Sequence, residues 1–256
     1  MVSKYWICIP ARLRSSRLPE KALADLAGQP MVVRVAQAAA RTRASRILVA
    51  TDNRAIESAV KAAGFECLMT SADHATGTDR LAEVVQQTRA EPHQVLVNLQ
   101  GDEPLMPEAP LDQVAMALDA DPFASVSTAV TAIEDQATLQ NPNVVKAVIG
   151  LSGQALYFSR APIPYQRDGS AVPEPGVPLG WRHLGLYAYR AAALEAFAHW
   201  SPSPAETREQ LEQLRWLHQG HRITCVELAS APPPGVDTAE DLEVVRRAFG
   251  RRASSL

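Results

Sequence analysis

The chain has little cysteine, few aromatic residues and no long apolar run. It contains 3 cysteines in 256 residues, and aromatic residues make up 5% of the sequence. Cys8, Cys67 and Cys225 are far apart and each lies in an apolar stretch. We therefore expect reduced core residues rather than a disulfide framework or a metal cluster. No segment approaches the roughly 18 apolar residues that a membrane-spanning helix needs.

Neither positive nor negative charge predominates in the chain. The chain has 25 Lys and Arg against 28 Asp and Glu, with a formal net charge of -3. This balance excludes the overall basic surface that is typical of nucleic-acid-binding proteins, so any anion must be bound by a local cluster. The first residues lack the apolar core and cleavage site of a signal peptide. We expect a cytoplasmic protein without nucleic-acid or membrane partners.

The order of strand and helix patterns predicts an α/β fold. Strand patterns in the first half alternate with helical patterns, which indicates a mostly parallel sheet. After about residue 140 two strand patterns follow each other without a crossover helix, so we expect an antiparallel ribbon there. One long helix is predicted at 205–219 and a last helix near 238–248. The predicted strands are 5–10, 46–51, 66–69, 94–99, 125–130, 144–149, 154–159, 184–189 and 223–228.

The most distinctive segment follows the first predicted strand. Arg12, Arg14, Arg17 and Lys21 place four cations within ten residues. Ligands of doubly wound sheets bind outside the carboxyl ends of the strands, so this loop is placed to wrap a polyphosphate. Its cations can neutralise charge on a transferring phosphorus and on departing pyrophosphate. The glycines of a Walker A loop are absent, and a solvated basic loop is the alternative interpretation.

Two acidic residues are candidate ligands of Mg²⁺. Asp102 follows an apolar strand pattern directly, beside Gly101. Mg²⁺ prefers oxygen ligands and usually takes only one or two protein carboxylates. Asp237 precedes the last predicted helix, where Thr238 and Asp241 resemble a capping box, so Asp237 is either a metal ligand or part of the helix start. Asp102 can equally be an ordinary turn residue.

Two further segments end at the same side of the predicted sheet. Asp52 ends the second strand, and the segment 71–80, SADHATGTDR, follows the third. Gly77 and the small hydroxyl residues permit close approach of the backbone to a ligand. Arg80 begins a helix whose N-terminal amides can face a ribose or a base. His74, taken alone, is an ordinary loop residue.

Together these segments resemble the 3-deoxy-manno-octulosonate (Kdo) cytidylyltransferases, also called CMP-Kdo synthetases. The resemblance extends through nearly the whole chain and is carried, in order, by IPARLRSSRLPEK, VATD, MTSADHATGTDRLAEV, VNLQGDEP, NPNVVKAV, ALYFSRAPIP, RHLGLYAYR, SPSPAE, LEQLR and GVDTAEDL. It implies a Rossmann-like nucleotidyltransferase fold with a mostly parallel central sheet, helices on both faces and a smaller antiparallel dimerisation ribbon. It also implies an enzyme, usually a homodimer, that uses CTP and Mg²⁺ to activate Kdo for lipopolysaccharide synthesis.

The resemblance assigns roles to individual residues. The predicted catalytic residues are Arg12, Lys21 and Asp102. The predicted nucleotide site consists of Arg12, Arg17, Lys21, Ser71, Arg80, Gln100 and Gly101. The predicted metal ligands are Asp102 and Asp237. The predicted sugar site consists of Arg160, His183, Tyr187, Glu212 and Gln213, the last two on the long helix predicted above. Arg182 is a further plausible partner of a sugar carboxylate.

We expect a single domain over 1–256. Within it, 1–140 is the predicted nucleotide-binding half, 141–235 the sugar-binding and dimerisation part, and 236–256 a helix that returns to the nucleotide half. The expected reaction is in-line attack of the sugar's anomeric hydroxyl on the α-phosphorus of CTP, with release of pyrophosphate. It needs no covalent enzyme intermediate.

Two departures from the family pattern qualify this prediction. Members commonly have glycine, lysine and proline after Leu-Pro, whereas Glu20, Lys21 and Ala22 follow Pro19 here. An inward-pointing Glu20 would weaken triphosphate binding by charge repulsion, and we expect it to point to solvent instead. The stretch 206–210 lacks the family's usual histidine. The alternatives are a cytidylyltransferase for 8-amino-Kdo or sialic acid, or a catalytically silent nucleotide-binding homologue.

Overall fold

The computed structural model describes residues 4–13, 18–167 and 177–253. The chain forms two compact units, here called unit 1 and unit 2. Unit 1 is drawn from Met1–Asp112, Arg190–Ala198 and Pro232–Leu256, and unit 2 from Gln113–Tyr189 and His199–Ala231. The expected single domain, with divisions at 140 and 235, stays a prediction.

The described residues form these strands and helices in chain order. The strands are β1 (Trp6–Ala11), β2 (Arg46–Thr51), β3 (Glu66–Met69), β4 (Val95–Asn98), β5 (Ala124–Ile133), β6 (Lys146–Ile149), β7 (Ala155–Ser159), β8 (Gly180–Arg190) and β9 (Arg222–Glu227). The helices are α1 (Met31–Ala39), α2 (Arg54–Ala62), α3 (Gly77–Thr88), α4 (Glu108–Ala120), α5 (Gln136–Gln140), α6 (Ala191–Phe197), α7 (Pro204–Glu209), α8 (Gln213–His218) and α9 (Ala239–Ala253), and a 3-10 turn spans Lys21–Leu23.

Unit 1 contains a parallel sheet in the order β3, β2, β1, β4. Its central strands are almost wholly buried, as expected for a parallel sheet that is covered by helices. The chain runs from β1 to β2 to β3 in one direction and then returns to place β4 on the other side of β1. The carboxyl ends of β1 and β4 therefore flank a topological switch point, where α/β sheets bind their ligands. The predicted α/β class is confirmed.

Unit 2 contains a mixed arrangement of strands around β5. Strand β5 pairs with β8 antiparallel and with β9 parallel, while β6 pairs antiparallel with both β7 and β8. The antiparallel ribbon predicted at 144–149 and 154–159 is therefore confirmed as β6 and β7. The predicted boundaries of the strands in both units are correct to within a few residues.

The prediction of one long helix at 205–219 was wrong. The segment forms α7 and α8, separated where Gln210 adopts a left-handed backbone with φ 54. A buried ion pair between Arg215 and Glu206, 2.5 Å from guanidinium to carboxylate, joins the two short helices. As a result, Glu212 and Gln213 lie at the start of α8 and not in the middle of a continuous helix.

Glu20 also has a left-handed backbone, with φ 54, just before the 3-10 turn. Its side chain is exposed, which agrees with the outward orientation expected from the sequence. A residue other than glycine in this conformation costs about 1 to 3 kcal/mol. The glycine that the family commonly has at this position would avoid that cost.

We expect Glu20→Gly to raise the free energy of unfolding by about 1 kcal/mol, because relief of backbone strain outweighs the extra entropy of glycine in the unfolded chain. Chemical denaturation of the variant and the wild type measures the difference. Glu20→Ala is the matched control, since it removes the same carboxylate but keeps the strain. Equal stabilisation by alanine would show that charge, and not backbone conformation, is responsible.

The composition led us to expect reduced cysteines and no membrane-spanning helix. Cys8, Cys67 and Cys225 are all free thiols, and the first two are buried. Within the described ranges, every helix is too short or too polar to span a bilayer. Cys8 and Cys67 thus lie in the core as predicted, whereas Cys225 is only partly buried.

Candidate nucleotide and sugar sites

Lys21, Asp102 and Asp237 meet in unit 1, although they are far apart in the sequence. The Lys21 Nζ lies 2.5 Å from Asp102 Oδ2 and 3.4 Å from Asp237 Oδ1. The Lys21 side chain is 16% exposed and the side chains of Asp102 and Asp237 are 27% and 45% exposed, so the cluster is shielded only in part from water. Fixed charges in such a site interact more strongly than in bulk water. The folded chain thus gathers two predicted metal ligands around one predicted triphosphate-binding cation.

Backbone contacts bring the Asp237 segment to Asp102. The Val236 N–H donates to the Asp102 carbonyl at 2.8 Å. A Cβ on Gly235 would lie 3.1 Å from Asp102 Oδ1, so only glycine fits there without displacing that carboxylate. Val236 is fully buried in a cluster with Leu26 and Met31, and this apolar contact anchors the segment.

The cap of α9 is made by Thr238 and Asp241. Thr238 Oγ1 accepts from the Asp241 N–H at 3.2 Å, and Asp241 Oδ2 accepts from the Thr238 N–H at 2.9 Å. These reciprocal bonds form the predicted capping box. The Asp237 N–H donates to the same Asp241 carboxylate, while the Asp237 carboxylate contacts Lys21. Asp237 therefore takes part in the helix start through its N–H, while its carboxylate belongs to the cluster with Lys21.

Glu103 lies beside this cluster and has a raised pKa. Burial, followed by the negative charge of Asp102, raises the pKa of Glu103 to about 8. Its carboxyl group is therefore mostly protonated at neutral pH.

An open pocket lies at the switch point of the unit 1 sheet. It is lined by Pro10, Ala11, Arg12, His74, Thr76, Gly77, Arg80 and Gln100. Pro10 and Ala11 end β1, Arg12 follows that strand directly, and Gln100 follows β4. Gly101 is required there, because a Cβ would lie 2.8 Å from the Pro10 carbonyl oxygen. The pocket includes the predicted nucleotide-site residues Arg12, Arg80 and Gln100.

Arg80 is held in place by two side chains from neighbouring strand ends. It is only 4% exposed, and its guanidinium donates to Thr70 and, at 3.0 Å, to Asp52. The charge of Asp52 offsets the cost of burying this cation. Asp52 was recognised in the sequence as a strand-end residue, and the structure shows that it fixes the orientation of Arg80.

The remaining residues of the predicted nucleotide site have different environments. Ser71 is exposed, and its N–H donates to Glu83. Arg14 and Arg17 lie outside the described residues. The sequence reasoning missed His74, which lines the pocket, and Gly235, which packs on Asp102. No local pattern identified either residue, because each acquires its role from a segment distant in sequence.

The predicted sugar residues His183 and Tyr187 belong to a run of aromatic rings in unit 2. The His183 ring packs edge-on against Phe158 at 4.9 Å and lies 5.4 Å from the Tyr187 ring, measured between centroids. Tyr187 stacks on Tyr189 at 5.7 Å. Such contacts hold both polar rings in fixed orientations.

Burial keeps His183 neutral. Desolvation lowers the pKa of His183 to about 3, and its Nε2 lies 3.0 Å from Thr128 Oγ1. Desolvation, followed by the nearby Tyr189, also raises the pKa of Tyr187 well above 10.0. Both side chains can therefore take part in hydrogen bonds to hydroxyl groups at neutral pH, and neither supplies a charge.

We expect His183 to make unit 2 less stable in mild acid. Its pKa is about 3 in the folded chain and ordinarily 6.5. Its contribution is therefore fully present above about pH 6.5 and is lost progressively as the pH falls toward 3. Between pH 7 and 5 the loss is about 2 kcal/mol. Denaturation of the wild type and His183→Asn at both pH values measures it; an identical pH dependence in the two proteins would contradict the assignment.

Arg160 is bonded mainly to the backbone around it. Its Nε donates to the Glu209 carbonyl at 2.8 Å, and its Nη1 donates to the Pro142 carbonyl at 3.1 Å. The Glu209 carboxylate accepts in turn from the Arg160 N–H and from Ser159 Oγ. The buried Lys146 donates to the Arg160 carbonyl. Only part of the Arg160 fork remains for a sugar carboxylate, and Arg182 is an exposed cation on β8.

Gln213 has an unsatisfied buried amide. It is 6% exposed, and its Nε2 has no hydrogen-bond partner among the described residues. Buried polar groups are nearly always hydrogen-bonded, so an unpaired donor of this kind calls for a functional explanation. Glu212 is the preceding residue, and its charge helps to raise the pKa of Tyr187.

The fold and the site define an α/β nucleotidyltransferase, and comparison with known proteins specifies the kind. A family model described as cytidylyltransferase matches residues 6–223. A 3-deoxy-manno-octulosonate cytidylyltransferase of Polynucleobacter asymbioticus is 48% identical over 96% of both chains. The enzyme of the same name from Pseudomonas syringae pv. syringae is also 48% identical, over 96% of this chain and 98% of its own. The chain belongs to the cytidylyltransferase family and, within it, to the 3-deoxy-manno-octulosonate cytidylyltransferases.

Solved structures agree with this assignment. A CMP:2-keto-3-deoxy-manno-octonic acid synthetase complexed with CTP superposes with a TM-score of 0.88 at 39% identity, over 98% of this chain and 100% of its own. A cytidylyltransferase from Leptospira borgpetersenii serovar Hardjo-bovis has a TM-score of 0.61 at 16% identity, over 97% of this chain and 87% of its own. The second similarity supports the fold alone.

Proposed function

We propose that this chain transfers CMP from CTP to Kdo, giving CMP-Kdo and pyrophosphate for lipopolysaccharide biosynthesis. The observation that carries the proposal is the meeting of Lys21, Asp102 and Asp237 in the unit whose switch point contains the pocket. A triphosphate with a divalent cation needs cationic and anionic protein groups close together. This cluster supplies both.

Asp102 and Asp237 would hold Mg²⁺. Two carboxylates are a donor set that fits this ion, which completes its shell with phosphate oxygens and water. Their close contact with the Lys21 ammonium shows that the pair already stabilises one positive charge. The described residues contain no cluster of three or more His, Cys, Asp and Glu side chains that would form a larger metal site. When bound, Mg²⁺ would neutralise phosphate charge and favour ionisation of the attacking hydroxyl.

The protein's own cations would position and neutralise the triphosphate. Lys21 and Arg12 would bind its oxygens, with Arg17 assigned by resemblance to the same task. Fixed cations favour the transition state because charge accumulates on departing pyrophosphate. Binding both anionic substrates in line also removes much of the entropic cost of bringing them together. These roles of Arg12, Lys21 and Asp102 make them the proposed catalytic residues.

The nucleotide would occupy the pocket at the switch point. Arg80 and Gln100 line this pocket, and Gly101 packs against the end of β1. Ser71 belongs to the loop that leads into it. The fixed orientation of Arg80 would let it bind without reorganisation, which favours affinity.

The residues that would bind the sugar lie in unit 2. Arg160 and Glu212 would contact the acid sugar, and His183 and Tyr187 would bond its hydroxyl groups as neutral partners. The observation that supports this role is the unpaired amide of Gln213, which a hydroxyl or carboxylate oxygen of the sugar would satisfy. Kdo is the expected acid sugar.

We further propose a cytoplasmic homodimer that associates through the ribbon of β6 and β7. Leu151, Leu156 and Tyr157 expose apolar surface there, at 108%, 55% and 41%. Strand β7 pairs only with β6 in the described structure, so it presents an open edge. Light scattering of the wild type and of a Leu156→Lys variant tests this assembly, and a monomeric wild type would rule it out.

The activity test is pyrophosphate release from CTP with a panel of acid sugars and with or without EDTA. We expect Kdo to be turned over faster than 8-amino-Kdo or sialic acid, and EDTA to stop the reaction. Preference for another sugar would reassign the substrate. CTP binding without pyrophosphate release from any sugar would indicate a catalytically silent homologue.

A further inference from the structure

One face of α3 holds the loop that forms a wall of the nucleotide pocket. Arg80, Glu83 and Gln87 are spaced by three and four residues, so they lie on the same side of this helix. Arg80 bonds Thr70, and the Gln87 amide donates to the Met69 carbonyl at 2.8 Å. The chain leaving β3 is therefore attached to the helix at successive positions.

Glu83 makes the central attachment. Its Oε2 accepts from the Ser71 N–H at 2.8 Å and lies 2.5 Å from His74 Nε2. Its Oε1 accepts from Gln87 Nε2 at 2.8 Å. Partial burial acts to raise the pKa of Glu83, but the bonds from His74, Ser71 and Gln87 outweigh it and lower that pKa. The carboxylate is thus ionised at neutral pH, and charged acceptors make the stronger hydrogen bonds.

Two of the three groups that Glu83 binds belong to the proposed nucleotide site. His74 lines the pocket, and Ser71 is a predicted nucleotide-site residue at the start of the same loop. Glu83 itself is absent from the pocket lining. Its effect on a ligand must therefore pass through the loop it holds.

We propose that Glu83 is a positioning residue that sets nucleotide affinity by fixing His74 at the pocket wall and the Ser71 amide at the start of the same loop. The inference rests on the proposed function, because it takes the pocket as the site of CTP. A preformed wall lowers the ordering cost of binding, and a loose loop must be ordered by the ligand. Loss of Glu83 therefore weakens binding of CTP without changing the reacting groups.

The test is calorimetric titration of CTP and steady-state kinetics for Glu83→Ala and Glu83→Gln. We expect Glu83→Ala to raise the Kd and the KM for CTP about tenfold, which is the effect of losing about 1.4 kcal/mol. Glu83→Gln keeps some of the hydrogen bonds, so its rise is smaller. The kcat at saturating CTP and the KM for Kdo should stay within about twofold of the wild type.

His74→Ala tests the route of the effect. If Glu83 acts partly through His74, the two alanine substitutions together weaken CTP binding less than the sum of their separate effects. Glu57→Ala is the matched control, since Glu57 also bonds two side chains, Arg54 and Lys61, but does not line the pocket. We expect wild-type CTP binding in this control.

Three outcomes would overturn the proposal. One is unchanged CTP affinity in Glu83→Ala while the wild type binds CTP and releases pyrophosphate, which leaves the proposed function intact. Another is a fall in kcat and a rise in the KM for Kdo that are as large as the rise in the KM for CTP, which indicates general damage to the fold. The third is a wild type that does not bind CTP, which removes the proposed function as well.

Discussion

Asp102→Asn is expected to lower the kcat of CMP transfer by about 10² to 10³, the effect of removing one fixed electrostatic group from an active site. Asparagine has the same shape but takes away the charge that would hold Mg²⁺ and that contacts Lys21 at 2.5 Å. The fold should persist, because the Asp102 bond to the Val236 N–H comes from the backbone carbonyl. Pyrophosphate release and thermal denaturation measure the two effects separately.

Asp119→Asn is the control for this substitution. Asp119 is an exposed carboxylate on α4 and has no place in the cluster. Its replacement should leave turnover at the wild-type level. A kcat within about threefold of the wild type in Asp102→Asn would exclude Asp102 as a metal ligand, since an essential ligand cannot be neutralised at so small a cost.

The fold was largely predictable from local patterns. Runs such as Arg46–Thr51 and Glu66–Met69 are short, apolar and bounded by turn residues, and both predicted strands match the structure from end to end. The conformation of such segments can be predicted from their own residues, because strand propensity and the apolar pattern are local properties of the sequence. The helical pattern at 205–219 failed because Gln210 turns left-handed and a buried Glu206–Arg215 pair fixes the break. Tertiary contact of this kind leaves no periodic signal.

The candidate site was predictable only in part. The chemistry of Lys21 and Asp102 followed from their residue types at the ends of predicted strands. The position of Asp237 did not, since it depends on close packing of Gly235 and burial of Val236. The sequence offered Asp237 as one of two candidate ligands and the resemblance favoured it, and the structure supplies the physical reason that its segment reaches Asp102. Glu83 was missed for the same reason: its partners Ser71 and His74 are local, but the pocket that His74 lines includes segments distant in sequence.

Lys21 contacts two carboxylates in the structure and is also the proposed ligand of the triphosphate. In the structure it lies between Asp102 and Asp237, where it offsets their mutual repulsion. In the proposed reaction the same ammonium binds the triphosphate. A lysine suits both tasks, because its charge is compact and its long side chain is flexible. Its removal should therefore affect CTP use more than Kdo use.

Lys21→Met is expected to lower kcat/KM for CTP by about 10² to 10³, since it removes a cation that, in the proposed reaction, would face the departing pyrophosphate. The KM for Kdo should change little, because the proposed sugar contacts lie in unit 2. Steady-state kinetics with each substrate varied in turn makes this comparison. Lys61→Met, an exposed lysine on α2, is the matched control and should retain wild-type kinetics. An unchanged dependence on CTP in Lys21→Met would show that Lys21 serves only to separate the two carboxylates.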